Sequence, residues 1–289
     1  DKMPSFHELA GKVLQCITAR DSWQELRTEE LQSKLQQAVN DKKFLLVLDD
    51  VWFECYERWH NLKSLLCSCK QGSKILVTCR SKVAAVNMGA VKPYELNALS
   101  EEKSWEMFKS IALREGQEET NPNLKTIGAE IVKRCRNVPL AIKSIAALLL
   151  SKDTEEEWME FVDRELGMID EEKNDIIPTL KLSYNHLTPQ LKQCFAFCSL
   201  FPEDYQFNVE RLIWLWVANG FVVSEENGSS YSRGYAYCME LVRRYLFQVV
   251  QRDQYGGIWA CKMHDLLYEL AKKVGNECLS IKMHRLGHG

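Results

Sequence analysis

No segment of this 289-residue sequence is long and apolar enough to cross a bilayer. The most apolar stretch, residues 138–150, contains Lys143 and falls short of the roughly 20 residues that a spanning helix needs. No secretory signal pattern opens the chain. No pair of CxxC knuckles and no paired histidine motif occurs, so there is little basis for a structural zinc site. There is no excess of one charge sign: 37 basic against 40 acidic residues leave a net charge of -3, with no global pull towards nucleic acid or an anionic membrane. No internal repeat and no low-complexity tract is found, which excludes a repeat architecture. What remains is the composition of a globular protein, 46% hydrophobic and 27% charged, long enough for two or three compact modules. The cysteines are numerous but scattered, 11 in all, with Cys67 and Cys69 two apart and Cys194 and Cys198 four apart. An odd, dispersed set reads as reduced thiols of a cytoplasmic protein. The chain opens on DKMPSF without an initiating methionine and closes on HRLGHG, and is read as a fragment.

The most informative stretch is KFLLVLDDVW, residues 43–52. Five apolar residues run from Phe44 to Leu48, and Asp49 and Asp50 follow directly. Such a run suits a strand buried on both faces of a parallel sheet. Open α/β sheets bind ligands outside the carboxyl ends of their strands. Two acids there are placed to hold Mg²⁺ and to polarise a water beside a phosphate. A buried strand followed by a solvated turn fits the run equally well.

Around this stretch the pattern alternates. Ser5 caps a helix through Leu9, Val13, Cys16 and Ile17, and Thr28 opens another through Leu31, Leu35, Ala38 and Val39. Helical spacing resumes at Trp59, Leu62, Leu65 and Leu66. Gln71-Gly72-Ser73 makes a turn, and a second short apolar run from Ile75 to Val77 ends in Thr78-Cys79-Arg80. Alternating helix and strand argue a parallel sheet with crossover helices. Arg80 leaves its strand at the same edge as the two aspartates. A guanidinium there suits a bidentate phosphate contact, and equally a surface ion pair with a carboxylate. From Ser100 onward the pattern turns helical: a start at Ser100 with Trp105, Phe108 and Ala112 on one face, then Leu124 to Cys135, then an apolar helix opened by Pro139. Residues 154–175 are charge-rich and read as solvated. Helix starts follow at Thr188-Pro189 and Asn208, with Gly220 as a stop. A helical face runs through Tyr237, Leu241 and Tyr245, a hairpin turns at Gly256-Gly257, and a last helix starts near Asp265. Helices with a hairpin make a winged-helix plan.

Several of these stretches together resemble one family. KKFLLVLDDVW resembles the Walker B segment of the nucleotide-binding (NB-ARC) domain of plant intracellular immune receptors, and GSKILVTCRS resembles the next strand, ending in a phosphate-sensing arginine. YELNALSEEKSWEMF, NVPLA, CFAFCSLFPEDY and MHDLLYELA resemble the remaining motifs, in that order. Trp52 and the CFAFCSLFPEDY form resemble the coiled-coil class of receptor. The resemblance implies an α/β, parallel-sheet P-loop NTPase (STAND/AAA+-like) domain over residues 1–97, a helical domain over 98–177 and a winged-helix domain over 178–289. It implies a switch, off with ADP and on with ATP, slow ATP hydrolysis in the complete receptor and a role in defence. It also implies coiled-coil and leucine-rich-repeat partner domains in the same receptor, and self-oligomerisation on activation. By this resemblance Asp49 coordinates Mg²⁺, Asp50 acts on the hydrolytic water and Arg80 senses the γ-phosphate. Pro139 packs on adenine, His264 contacts the β-phosphate of ADP, and Asp265 supports His264.

The sequence departs from the family pattern in places. No GxxxxGK[ST] occurs; the Gly11-Lys12 pair is followed by Val13 and lacks the earlier glycine. By resemblance, Asp1-Lys2-Met3 fall in the motif that follows such a loop. Asn137 stands where a glycine is usual, and Cys79 where a threonine is common. Two other classes of function stay open. One is a winged-helix nucleic-acid module using Arg243, Arg244, Arg252, Lys262, Lys272 and Lys273, disfavoured by the interspersed acids Glu240, Asp253, Asp265 and Glu269. The other is a non-catalytic interaction scaffold.

Overall fold

The computed structural model describes residues 5–18, 23–51, 56–90, 92–114, 116–117, 121–169, 175–223 and 229–286. Asp1-Lys2-Met3, Trp52 and the last three residues, on which sequence readings rest, lie outside the described residues. The chain divides into two compact units, Asp1–Leu96 and Asn97–Gly289.

In the first unit, α1 (Phe6–Thr18) starts on a reciprocal cap. The Ser5 hydroxyl accepts from the Glu8 N–H at 3.1 Å, and the Glu8 carboxylate accepts from the Ser5 N–H at 2.5 Å. Then come α2 (Thr28–Val39), β1 (Leu45–Leu48), α3 (Tyr56–Leu65), β2 (Lys74–Val77) and α4 (Lys82–Asn87). The two strands pair in parallel, from Leu45 opposite Lys74 to Leu48 opposite Val77, with α3 in the crossover. Leu31, Leu35, Trp59 and Leu62 centre the core, and Leu46, Leu48 and Val77 pack against it.

Burial of both strand faces, the expectation from the apolar run, does not hold. Leu45 is 65% exposed, Val47 54% and Leu76 55%. Among the described residues the sheet has two strands, and the apolar faces of the helices meet one side of it. A uniformly apolar run is therefore sorted by the strand period of two into a covered face and an open one.

The second unit runs α5 (Glu101–Ala112), α6 (Pro122–Arg134), α7 (Pro139–Leu149), α8 (Glu155–Phe161) with a wide turn at Val162–Leu166, α9 (Ile177–Asn185), α10 (Pro189–Phe197), β3 (Phe207–Asn208), α11 (Val209–Ala218), α12 (Ser230–Arg243), β4 (Gln248–Arg252), β5 (Ile258–Lys262) and α13 (Asp265–Leu286). The three strands form an antiparallel sheet in the order β3-β5-β4. Ser100, Thr188 and Asn208 cap their helices by accepting from the N–H three residues on, at 3.3, 3.4 and 3.0 Å. The core is one cluster reaching from Phe108 to Val274. No described helix is long and apolar enough to cross a membrane.

The charge-rich segment 154–175 is another correction. It holds α8, opened by a Thr154–Glu157 capping box, and buries Trp158, Phe161, Val162 and Leu166. Its acids crowd the first turn, where they favour the helix dipole, while the apolar residues recur at helical spacing behind them. Trp158 lies edge-on to Phe108 at 5.5 Å and donates its indole N–H to the Lys152 carbonyl at 3.0 Å. The helices α4 and α9 and the short β3 also went unread. In α9 the hydroxyls of Thr179 and Ser183 are buried among the apolar residues and mask its amphipathic pattern. Ser144 of α7 donates to the Ser183 hydroxyl at 2.5 Å, and Ser183 donates to the Ser144 carbonyl at 3.1 Å, so both are satisfied in the core.

The nine described cysteines are free thiols, and Cys135, Cys194, Cys198, Cys238 and Cys261 are buried. Burial pushes the Cys135 thiol up from 9.0 to about 12. It also drives Cys194 and Cys198 upward, and Cys261 is raised first by its hydrogen bond with Cys238 and then by burial. The folded chain thus keeps protons that the unfolded chain releases above its ordinary thiol range. Stability should fall as pH rises from 9 towards 12, by about 1.4 kcal/mol per pH unit for each such thiol. Urea melts at pH 8 and pH 10 check this, and Cys135→Ala should make the loss shallower (roughly one thiol's share).

Candidate functional site

The residues singled out in the first unit meet at the carboxyl ends of β1 and β2. Because Leu48 pairs with Val77, the residues one step further on, Asp49 and Thr78, leave the sheet side by side. The ladder continues past the strands: Thr78 N–H donates to the Leu48 carbonyl at 3.0 Å, and Val51 N–H donates to the Thr78 carbonyl at 2.9 Å. The Thr78 hydroxyl donates to the Asp49 carboxylate and accepts from the Asp50 N–H at 2.8 Å. Asp50 has a φ of 51°, in the left-handed region that Asp tolerates better than most residues. That turn carries its carboxylate to Arg80, whose Nε and Nη2 each donate to it at 3.2 Å. Beyond Arg80, Ser81 caps α4 through the Ala84 N–H at 3.4 Å, and Cys79 donates its thiol to the Ser81 carbonyl at 3.3 Å.

The structure thus brings together Asp49, Asp50 and Arg80, and it adds Thr78. Sequence reasoning passed over Thr78, although a hydroxyl residue in register with the first acid is a readable signal. Arg80 makes an ion pair with the Asp50 carboxylate. The pair is exposed, with 52% of the Arg80 side chain and 36% of the Asp50 side chain open to solvent. Pairs of this kind contribute about 0.2–1 kcal/mol. A phosphate that offers equal or better geometry can therefore take the guanidinium over at small cost.

The donor set suits a hard cation. Two carboxylates and a hydroxyl are oxygen ligands, and Mg²⁺ commonly takes one or two carboxylates, completing its shell with water and phosphate. Among the described residues no group of three or more His, Cys, Asp or Glu side chains could hold a metal alone.

The other predicted residues belong to the second unit. Pro139 is exposed at the first position of α7. Just before it, Arg136 and Asn137 adopt left-handed φ angles of 55° and 56°. Glycine adopts such a φ without steric cost, and asparagine is among the side chains that best tolerate it. The Asn137 carbonyl accepts from the Leu99 N–H at 3.3 Å. Its side-chain Oδ1 is buried with no hydrogen-bond partner among the described residues.

His264 immediately precedes α13. Its carbonyl accepts from the Leu267 and Tyr268 N–H groups at 2.8 and 2.9 Å, and its ring Nδ1 accepts from the Leu266 N–H at 3.3 Å. The backbone donor at Nδ1 selects the tautomer with the proton on Nε2. His264 therefore presents one N–H donor at the positive end of a helix, a place that favours anions. Asp265 opens the helix itself. The basic residues considered for nucleic acid are largely engaged: Arg244 and Arg243 with Glu240 at 2.6 and 3.8 Å, Lys262 with Asp204 at 2.8 Å, Lys273 with Glu269 at 2.8 Å, and Arg252 with the Gly256 carbonyl at 2.8 Å. They do not form a uniform basic stripe.

A family model described as the NB-ARC domain matches residues 2–118, and one described as the disease resistance protein winged helix domain matches residues 200–271. The chain carries an NB-ARC domain and a winged-helix domain of the plant disease resistance type. Disease resistance protein RGA2 of Solanum bulbocastanum is 40% identical over 263 residues, covering 91% of this chain and 27% of that protein. Putative disease resistance protein RGA1 of the same plant is 41% identical over 241 residues, covering 83% of this chain and 24% of its own length. Disease resistance protein RPP13 of Arabidopsis thaliana is 36% identical over 251 residues, covering 86% of this chain and 30% of its own length. The chain thus spans less than a third of the relatives it matches. The NB-ARC match contains Asp49, Asp50, Thr78 and Arg80, and the winged-helix match contains His264 and Asp265.

The Thr78 hydroxyl should matter more than the Arg80 pair for the integrity of this edge. Thr78→Val should destabilise the first unit by about 0.5–1.5 kcal/mol, because the exposed Asp50 N–H and Asp49 carboxylate exchange a protein partner for water. Thr78→Ser should restore most of that loss, and Arg80→Gln should cost under about 1 kcal/mol. Chemical denaturation followed by hydrogen exchange of the Asp50 and Val51 amides measures all three.

Proposed function

We propose that this NB-ARC chain is the nucleotide-handling part of a plant immune receptor that is off with ADP and on with ATP. The observation that carries the proposal is the arrangement at one strand edge: Asp49 held by Thr78, and Asp50 held by Arg80. Phosphoryl chemistry is mostly positioning and charge stabilisation, so a metal-holding acid, a second acid and an arginine are its expected parts. Asp49 is assigned to Mg²⁺, whose role when bound is to neutralise phosphate charge. Asp50 is assigned to orienting and deprotonating the attacking water. Arg80 is assigned to the γ-phosphate, leaving Asp50 as it moves, which links release of that carboxylate to the presence of ATP.

Further assignments rest on the family resemblance and are supported by local geometry. Pro139 is assigned to adenine, and its exposed ring at the start of α7 is open to stacking. His264 is assigned to the β-phosphate of ADP through Nε2, with Asp265 in support. We divide the chain into nucleotide-binding (1–97), helical (98–177) and winged-helix (178–289) parts. Coiled-coil and leucine-rich-repeat domains, self-association on activation and a cytoplasmic site of action complete the proposal for the whole receptor.

A hydrogen bond to a charged group contributes about 1.5–3 kcal/mol. His264→Ala in the complete receptor should therefore weaken ADP retention roughly tenfold to a hundredfold and raise basal signalling. Asp49→Asn should lower Mg²⁺-dependent ATP turnover. Because these 289 residues contain no GxxxxGK[ST], the chain alone should bind ADP more weakly than the complete receptor. Retention of labelled ADP on the purified receptor and its variants checks the set; unchanged retention in His264→Ala would count against the latch.

A further inference from the structure

A cavity of about 370 Å³ in the second unit shares no residue with those assigned to nucleotide. It lies where the first turn of α11, the first half of α12 and the β4–β5 hairpin meet. Tyr231 and Tyr235, one turn apart on α12, form one side with Trp259 of β5 and Ile258. Glu210 of α11 and Asp253 of the hairpin turn supply two carboxylates. Trp214 extends the aromatic surface, with its ring 6.0 Å from that of Tyr231. Trp214 and Trp259 are each 51% exposed, high values for the bulkiest side chain.

The walls are held in place. The Tyr235 hydroxyl accepts from the Ile258 N–H at 3.1 Å, which ties α12 to β5. Asp253 Oδ1 accepts from the Tyr255 and Gly257 N–H groups, both at 2.8 Å, which sets the carboxylate at the turn. Neither Asp253 nor Glu210 has an ion-pair partner among the described residues. Elsewhere in this unit acids sit against bases, as in Glu240 with Arg244 and Asp204 with Lys262. The Tyr231 phenol is pushed above its ordinary range by burial first, then by the charge of Glu210 and, more weakly, of Tyr235, Cys238 and Asp253.

We propose that this cavity binds a basic side chain, a lysine ammonium or an arginine guanidinium, presented by a partner polypeptide. Aromatic faces attract cations through their ring quadrupoles, and three rings with two unpaired carboxylates concentrate that attraction at one point. The cavity volume is at the small end of ligand sites, enough for one long side chain. The half-exposed tryptophans flank it as large, stiff contact surfaces of the kind that carry binding energy at protein interfaces. An anionic ligand such as a nucleic-acid phosphate is excluded by the same two acids.

The test uses the 289-residue chain and two fluorescein-labelled peptides, one arginine-rich and one with citrulline at every arginine, read by fluorescence anisotropy. Citrulline keeps the shape and removes the charge. The chain should prefer the arginine peptide by roughly tenfold or more, and Glu210→Gln and Trp259→Ala should each weaken that binding roughly fivefold or more. Both positions are exposed, and circular dichroism verifies that the variants fold. Glu156→Gln, an equally exposed acid in the first turn of α8, should bind as the parent does. Equal binding of the two peptides, no binding at all, or an equal loss in Glu156→Gln would each overturn the proposal.

Discussion

The Thr78 hydroxyl is the constraint on which the geometry of this strand edge depends. It occupies one oxygen of Asp49 and fills the Asp50 N–H, so two strand ends become one surface. With that amide satisfied, Asp50 can take its left-handed turn and swing its carboxylate onto Arg80. Without it, that exposed N–H would turn to water, and the two acids would diverge as successive side chains of a strand normally do. The geometry of this edge is thus inherited from strand register: Leu48 opposite Val77 puts Asp49 opposite Thr78.

The two sets of candidate residues are held with different firmness. Asp50 and Arg80 form an exposed ion pair of small net worth, easily exchanged for another partner. His264 is locked at the head of α13 by a backbone donor to its ring, and α13 buries Leu267, Leu270, Ala271 and Val274 in the core. An adjustable arginine and a fixed histidine suit opposite tasks. The first can respond to a changing phosphate, and the second can register whether a ligand stays. A ligand would shift the proposed switch only by the difference in its affinity for the two states, so residues whose contacts change on binding would carry the bias.

Much of this was legible in the sequence. The caps at Ser5, Ser100, Thr188 and Asn208 marked helix starts, and Gly220 a stop, because local backbone chemistry demands those residue types. The hairpin and the order of acids and arginine were also readable. Other features depended on what is not local. The run from Phe44 to Leu48 looks uniformly buried, yet which strands and helices flank it decides that Leu45 and Val47 are open. Trp158 was hidden by the acids of its own helix, and α9 by hydroxyls that find partners only in the folded core. Thr78 was passed over because its role appears only when two segments about thirty residues apart are placed side by side. The cavity beside Trp259 likewise draws on α11, α12 and the hairpin, none of which announces it alone.

In the proposed function, the edge formed by Asp49, Thr78, Asp50 and Arg80 is the metal- and phosphate-facing part of a nucleotide site. The most direct measurement is a structure of the complete receptor with Mg²⁺ and a non-hydrolysable ATP analogue. Such a structure should show Mg²⁺ bound by Asp49 directly or through one water, Thr78 still on Asp49, and the Arg80 guanidinium moved from Asp50 to the terminal phosphate. A nucleotide bound elsewhere, with the Asp50–Arg80 pair intact and no metal at Asp49, would contradict it.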